Sequence, residues 1–248
     1  MLQNLRNEYA KAISRWQVKN PDLDYLSIWK SYNPNTWTEE QLNGLSIEHT
    51  LWCCDNSKCK KGGILITGIN PSFNKYFYSP DATFFETANT NGSDYWSTKK
   101  NMVDIFRGGG EVAYLDLFPI RMTSQKDFMK DNIIPISLKV ALLEVTISAI
   151  EELAPRLIIN PNKGSSVYWG LNKNKPWMGY NMIEQDNPIG KQTHLYKITG
   201  IIDDPHVVNP QRKSVLNYTL FLLAKYHGNG ALKADDFLKS SDIAKVYL

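Results

Sequence analysis

The stretch GILITGINPSFNKYFYSP, residues 63–80, decides the reading of this chain. Ile64 to Thr67 form a short run rich in β-branched residues, and the run stops at Gly68. Such runs, bounded by a turn signal, suit a buried strand. Asn70 and Pro71 follow where the chain must turn, so an amide side chain is placed at the end of a core strand. An amide with no partner in such a place invites a functional explanation beside the simpler one of a turn.

Three further runs resemble the first. They are Val112 to Phe118, Arg156 to Asn160, and His194 to Ile202. Helical segments separate them. Residues 93–106 lie between the first two runs. Residues 136–153 lie between the second and third, where Ile136, Val140, Leu143, Ile147 and Ile150 form a stripe at helical spacing. Lys139, Glu144 and Glu151 fall off that stripe. A short helix is expected over 165–171, and another over 213–226, which is apolar nearly all round. This alternation predicts an α/β domain with a mainly parallel sheet of four strands and helices on both faces, a three-layer αβα arrangement.

Residues 1–60 read as a helical extension packed on that core, residues 61–227 as the α/β domain, and residues 228–248 as an appendage. Thr38 to Gln41 carries a capping-box pattern. The chain has 248 residues, 42% of them hydrophobic, which suffices for one large domain. Its net charge is only +3 and its pI about 8.6, below the range of a dedicated electrostatic nucleic-acid binder. No run approaches the length of a membrane span, and no membrane partner is expected. Three cysteines without a signal peptide predict a reduced, cytoplasmic protein. Cys53, Cys54 and Cys59, with His49, make a conceivable zinc set, but the spacing matches no common pattern and no metal is assigned.

In an open parallel sheet, sites form at the carboxyl ends of the strands. The four loops expected there run over 68–72, 118–121, 160–165 and 203–210. They hold amides, His206, Arg121 and Lys163. None carries a glycine-rich dinucleotide or nucleotide-phosphate motif, and no nucleophile elbow appears.

ILITGINPSF (residues 64–73) resembles the first active-site motif of the uracil-DNA glycosylase superfamily, most of all its mismatch-specific thymine/uracil branch. Other blocks fall in that family's order: FYSP (77–80), DYWSTKKNMV (94–103), AYLDLFPIR (113–121), APRLIINPNKGSSVYWG (154–170) and HVVNPQRKSV (206–215). The likeness spans about Gly63 to Tyr226. It implies a glycosylase that flips a base out of DNA and hydrolyses its N-glycosidic bond without a metal or other cofactor. The oligomeric state is left open, with a monomer favoured.

The resemblance also implies roles. Asn70 would hold the attacking water, and His206 or Asn209 would meet the leaving base or the sugar. Gly68, Ile69, Pro71 and Ser72 would line the base. Phe77 would stack on it, with Tyr76 and Phe84 as competitors. Asn160 would read the pyrimidine edge, since an amide offers both a donor and an acceptor. Lys163, Ser165, Arg212, Lys213 and Ser214 would contact DNA phosphates, the last three at a helix start after Asn209. Two rivals stand beside this reading. One is a non-catalytic nucleic-acid-binding relative, and the other is an enzyme of the same scaffold acting on a small nucleoside-like ligand.

Overall fold

A computed structural model describes residues 2–33, 44–72, 82–90, 112–122, 124–130, 133–172, 174–186 and 193–224. The sequence expectations over 34–43, 73–81 and 91–111 lie outside the described residues. These include the capping box, the stacking candidates Tyr76 and Phe77, and the helix over 93–106.

One six-stranded sheet organises the molecule. Its strands are β1 (Ile64–Gly68), β2 (Val112–Asp116), β3 (Leu157–Asn160), β4 (Tyr180–Gln185), β5 (Thr193–Ile201) and β6 (Leu220–Ala224), in the spatial order β2-β1-β3-β6-β5-β4. The first four in that order are parallel. β5 runs antiparallel to β6, and β4 antiparallel to β5. The sheet is therefore mostly parallel, with six strands rather than the four expected.

Two segments differ from the sequence reading for one reason. The fourth parallel strand is β6, inside the segment expected to be a helix, whereas His194 to Ile202 belongs to the antiparallel hairpin β4–β5. Leu220 to Leu223 fill a central slot between β3 and β5, where both faces of a strand are buried. A slot of that kind demands an unbroken apolar run, and such a run has no period to tell strand from helix. The hairpin had a readable signal. Two runs of mixed polarity flank Asn187-Pro188-Ile189-Gly190, a turn-forming sequence.

Each face of the sheet carries its own core. Leu65, Ala113, Leu115, Ile158 and Phe221 point to one face, and Ile64, Ile66, Tyr114, Ile159 and Leu222 to the other, as the twofold period of strands requires. The α-helices among the described residues are α1 (Leu5–Lys19), α2 (Tyr25–Tyr32), α3 (Phe84–Thr90), α4 (Gln125–Phe128), α5 (Ile136–Leu153) and α6 (Ser166–Trp169). The first face packs on α1, α5 and α6, and the second on Trp52, Cys54 and Phe84 of α3.

α1 buries Leu5, Tyr9, Ala12, Ile13 and Trp16, a stripe at helical spacing. Its Tyr9 hydroxyl pairs with Thr146 of α5 at 2.9 Å, and Trp16 Nε1 donates to Ser137 Oγ at 2.8 Å. Helix α5 is thus covered on two sides, which corrects its expected stripe. Ile136 is half-exposed and Lys139 is fully buried. The Lys139 ammonium donates to the Lys130 carbonyl and sits 5.5 Å from the Phe128 ring centre, so the turn after α4 roofs it.

Candidate site at the carboxyl edge of the parallel strands

The loops after β1, β2 and β3 meet at one edge of the sheet. The carbonyls of Gly68, Ile69 and Pro71 accept from the N–H groups of Leu117, Phe118 and Met122. Ser72 and Met122 continue that pairing as a parallel bridge. The segment before β1 seals the outer side: Leu51 bridges Ile120, and Trp52 N–H donates to the Pro119 carbonyl. Ile69 is buried and lies beside Gly164 of the β3 loop, together with Met129.

Asn70 is buried, and its Nδ2 donates to the carbonyls of Pro71 and Ile120, each at 3.3 Å. Two carbonyls cannot face an amide oxygen, so they fix which way the amide points. Its Oδ1 is left buried without a hydrogen-bond partner. Asn160 is locked the other way round. Its Oδ1 accepts from the Asn162 N–H at 3.0 Å and the Ser165 hydroxyl at 2.6 Å, and its Nδ2 is buried and unpartnered. The hydroxyl of Thr67, one residue past the Ile66–Ile159 pair, is also buried without a partner. Three of the six buried side-chain atoms left without a hydrogen bond among the described residues thus belong to the ends of β1 and β3 and the turn after β1. Buried polar groups are nearly always satisfied, so each of these is a candidate to meet a further molecule.

Sequence reasoning missed Asp116. It ends β2 in register with Gly68 and is the only buried carboxylate among the described residues. Its Oδ1 accepts from the Tyr114 hydroxyl at 2.7 Å. The signal was present in the sequence, as an acid inside the apolar run Val112 to Phe118.

The remaining expected residues separate into two groups. Gly68, Ile69, Asn70, Pro71, Ser72, Asn160 and Ser165 share the carboxyl edge, as does the backbone of Lys163, whose side chain lies outside the described residues. Ser165 is not offered to a phosphate, because its buried hydroxyl is spent on Asn160 and the Asn162 carbonyl. Phe84 is not a stacking platform either. It packs in the core, stacked on Tyr114 at 5.4 Å between ring centres.

His206, Asn209, Arg212, Lys213 and Ser214 lie at the opposite edge of the sheet. They follow β5, which runs against the parallel strands, so its end at Ile201 falls where β6 begins. No helix starts after Asn209, which instead turns the chain with φ +52°. The His206 ring is exposed and pairs with Asp204 Oδ1 at 2.9 Å, and the His206 backbone N–H meets the same oxygen. Those two bonds, the backbone one first, hold the Asp204 carboxyl below its ordinary range.

Arg212 is bound up in structure. Its guanidinium donates to the carbonyls of Val208 and Met178 and stacks on Tyr180. The Ser214 hydroxyl donates to Glu151 Oε1 at 2.8 Å. The chain leaves the true fourth parallel strand at Ala224, on the same edge as Asn70. The sequence that follows, Lys225-Tyr226-His227, lies outside the described residues.

Among the described residues, no group of three or more His, Cys, Asp or Glu side chains is placed to hold a metal ion. His49 Nδ1 instead accepts from the Ser46 N–H at 3.0 Å. Among them, too, no helix is long and apolar enough to cross a membrane. No protein-family model matches the chain, and no curated protein matches it significantly, so the functional reading stands on these residues.

Proposed function

We propose that this protein hydrolyses the N-glycosidic bond of uracil, or of a related damaged or mismatched base, flipped out of DNA. The observation that carries the reading is Asn70: a buried amide, pinned through its nitrogen, with its oxygen left as an unused acceptor. A water held by that oxygen would keep a lone pair for the anomeric carbon. As the C–N bond breaks, its electron pair leaves with the base while the water oxygen bonds to the sugar. The water's proton ends on the released base or in solvent. Asn160 Nδ2, an unused donor, suits a base carbonyl on which negative charge grows. The sequence likeness around residues 64–73 supports the same assignment.

A second reading has its own support. Arg212, Lys213 and Ser214, expected to hold phosphates, stand at the other edge of the sheet. A site without them suits a small nucleoside-like ligand better than duplex DNA. The two readings differ in salt: DNA binding weakens steeply as salt rises, and binding of a neutral nucleoside does not.

Base excision from labelled oligonucleotides tests the proposal. The substrates carry uracil in single strands and opposite G or A, and hot alkali reveals abasic sites. The wild type is expected to release uracil, and Asn70→Ala to lose activity by a factor on the order of 100. A folded wild type that leaves every substrate intact would sink the glycosylase reading. Release of base from a free nucleoside alone would favour the second.

A further inference from the structure

The sheet polarity that carries Arg212, Lys213 and Ser214 away from the carboxyl edge brings a different residue to it. β5 runs against β6, so its first residues lie beside the ends of the parallel strands. His194 pairs with Leu223, and Leu223 pairs with Asn160. Residues paired across a sheet share a face, so Asn160, Leu223 and His194 form one row. Asn160 and His194 stand two strand spacings apart, about 10 Å.

His194 is half-exposed, and its Nδ1 meets Glu184 Oε1 of β4 at 2.8 Å. Tyr196 lies beside it on the same face, with ring centres 6.2 Å apart. A carboxylate can only accept, so Nδ1 carries its proton, and Nε2 is what the ring offers to anything else. Among the described residues Nε2 meets no hydrogen-bond partner. In the charged ring Nε2 is an N–H, and a phosphate oxygen accepts from such a donor. The row therefore runs from an amide, past an apolar side chain, to an imidazole. That is the order in which a nucleotide presents its base, its sugar and its phosphate.

We infer that His194, held by Glu184, binds the phosphate of a nucleotide whose base lies at Asn160. This rests on reading the carboxyl edge as a nucleobase site. The ligand class is a nucleoside phosphate, and the monoester of a free nucleotide and the diester of a DNA strand share that chemistry. The contact supplies an anion partner on the edge from which the residues expected to hold phosphates are missing. A histidine at this position serves the site only because β5 is antiparallel.

The test titrates the full chain with 2′-deoxyuridine, its 5′-monophosphate and the trinucleotide d(TUT), beside the excision assay. Binding is read by NMR at about pH 6, where an ordinary imidazole is mostly charged. Wild type is expected to favour the monophosphate over the nucleoside by about fivefold, the upper range of an exposed ion pair. His194→Ala is expected to bring that ratio within about twofold by weakening the monophosphate alone. His194→Lys keeps a cation and is expected to retain most of the preference, which guards against a folding defect in the alanine variant. A loss confined to the monophosphate assigns the contact to a free nucleotide, and an equal loss on d(TUT) assigns it to a DNA strand; both support the inference. A wild type without phosphate preference, or a ratio that His194→Ala leaves unchanged, overturns it. Excision with an unchanged ratio removes the His194 contact and leaves the glycosylase reading intact. A phosphate preference that depends on His194, without excision, keeps the contact and removes the glycosylase reading.

Discussion

Asp116 occupies the space that a side chain on Gly68 would need. A methyl group at position 68 would fall well inside van der Waals contact with Asp116 Oδ1 and 2.7 Å from the Tyr114 hydroxyl. Gly68 is therefore required by packing against its register partner, not by an unusual backbone angle. Gly68→Ala is expected to destabilise the fold by about 1–3 kcal/mol, the usual cost of overpacking. Urea denaturation checks it. Because relief requires both Asp116 and the Tyr114 hydroxyl to shift, the same variant should also lower any excision activity. A variant with unchanged midpoint and activity would show that this contact does not matter.

His206 is exposed at the end of the sheet away from Asn70, and its ring partner is Asp204. His206→Ala is expected to leave excision within about twofold of wild type, because general acid–base help needs a group within reach of the reacting atoms. A loss of about tenfold or more would mean that the 203–210 loop serves the site after all.

Glu151 ties the long connection between β5 and β6 to the end of α5. Its Oε1 accepts from Tyr180 at 2.9 Å and Ser214 at 2.8 Å, and its Oε2 from the Val215 N–H at 2.8 Å. Glu151→Ala strands those donors, one of them on the fully buried Tyr180, and should cost about 2–4 kcal/mol. Arg212→Ala loses the Tyr180 stack and the bonds to the carbonyls of Met178, Val208 and Asn209, and should cost about 1–2 kcal/mol. Neither is expected to change the salt dependence of DNA binding. A shallower salt slope in Arg212→Ala would restore that residue to the phosphate contacts.

Burial pushes the Cys53 thiol up to about 12, with a smaller opposing pull from Arg6. Cys59 is raised in the same direction, first by burial. The unfolded thiol ionises near 9 while the folded Cys53 stays neutral, so its contribution to stability is complete below pH 9 and is lost as pH rises towards 12. The buried hydroxyls of Tyr9, Tyr25 and Tyr180 are raised for the same reason and add to the slope. Urea midpoints are expected to fall between pH 9 and 11. At pH 8, iodoacetamide should label half-buried Cys59 ahead of Cys53. Cys53 reacting as fast as in denaturant would refute its burial.

The sequence by itself determined the strands that need no partner to be recognised. Ile64–Gly68, Val112–Asp116 and Leu157–Asn160 were legible because each is a short β-branched or apolar run closed by a turn residue. Asn70 and Asn160 were legible as amides placed where such strands end. Local pattern failed where a segment's state depends on its neighbours. Leu220 to Ala224 is a strand only because a slot between β3 and β5 pairs both of its edges. Once that slot is taken by β6, His194 to Ile201 must run antiparallel, and the loop bearing His206 and Asn209 moves to the far edge of the sheet. Tertiary structure also decided what each amide offers, since that depends on the carbonyls of Pro71 and Ile120 and on the hydroxyl of Ser165. Residue type sets which hydrogen bonds are available, and only the packed neighbours settle which of them remain open.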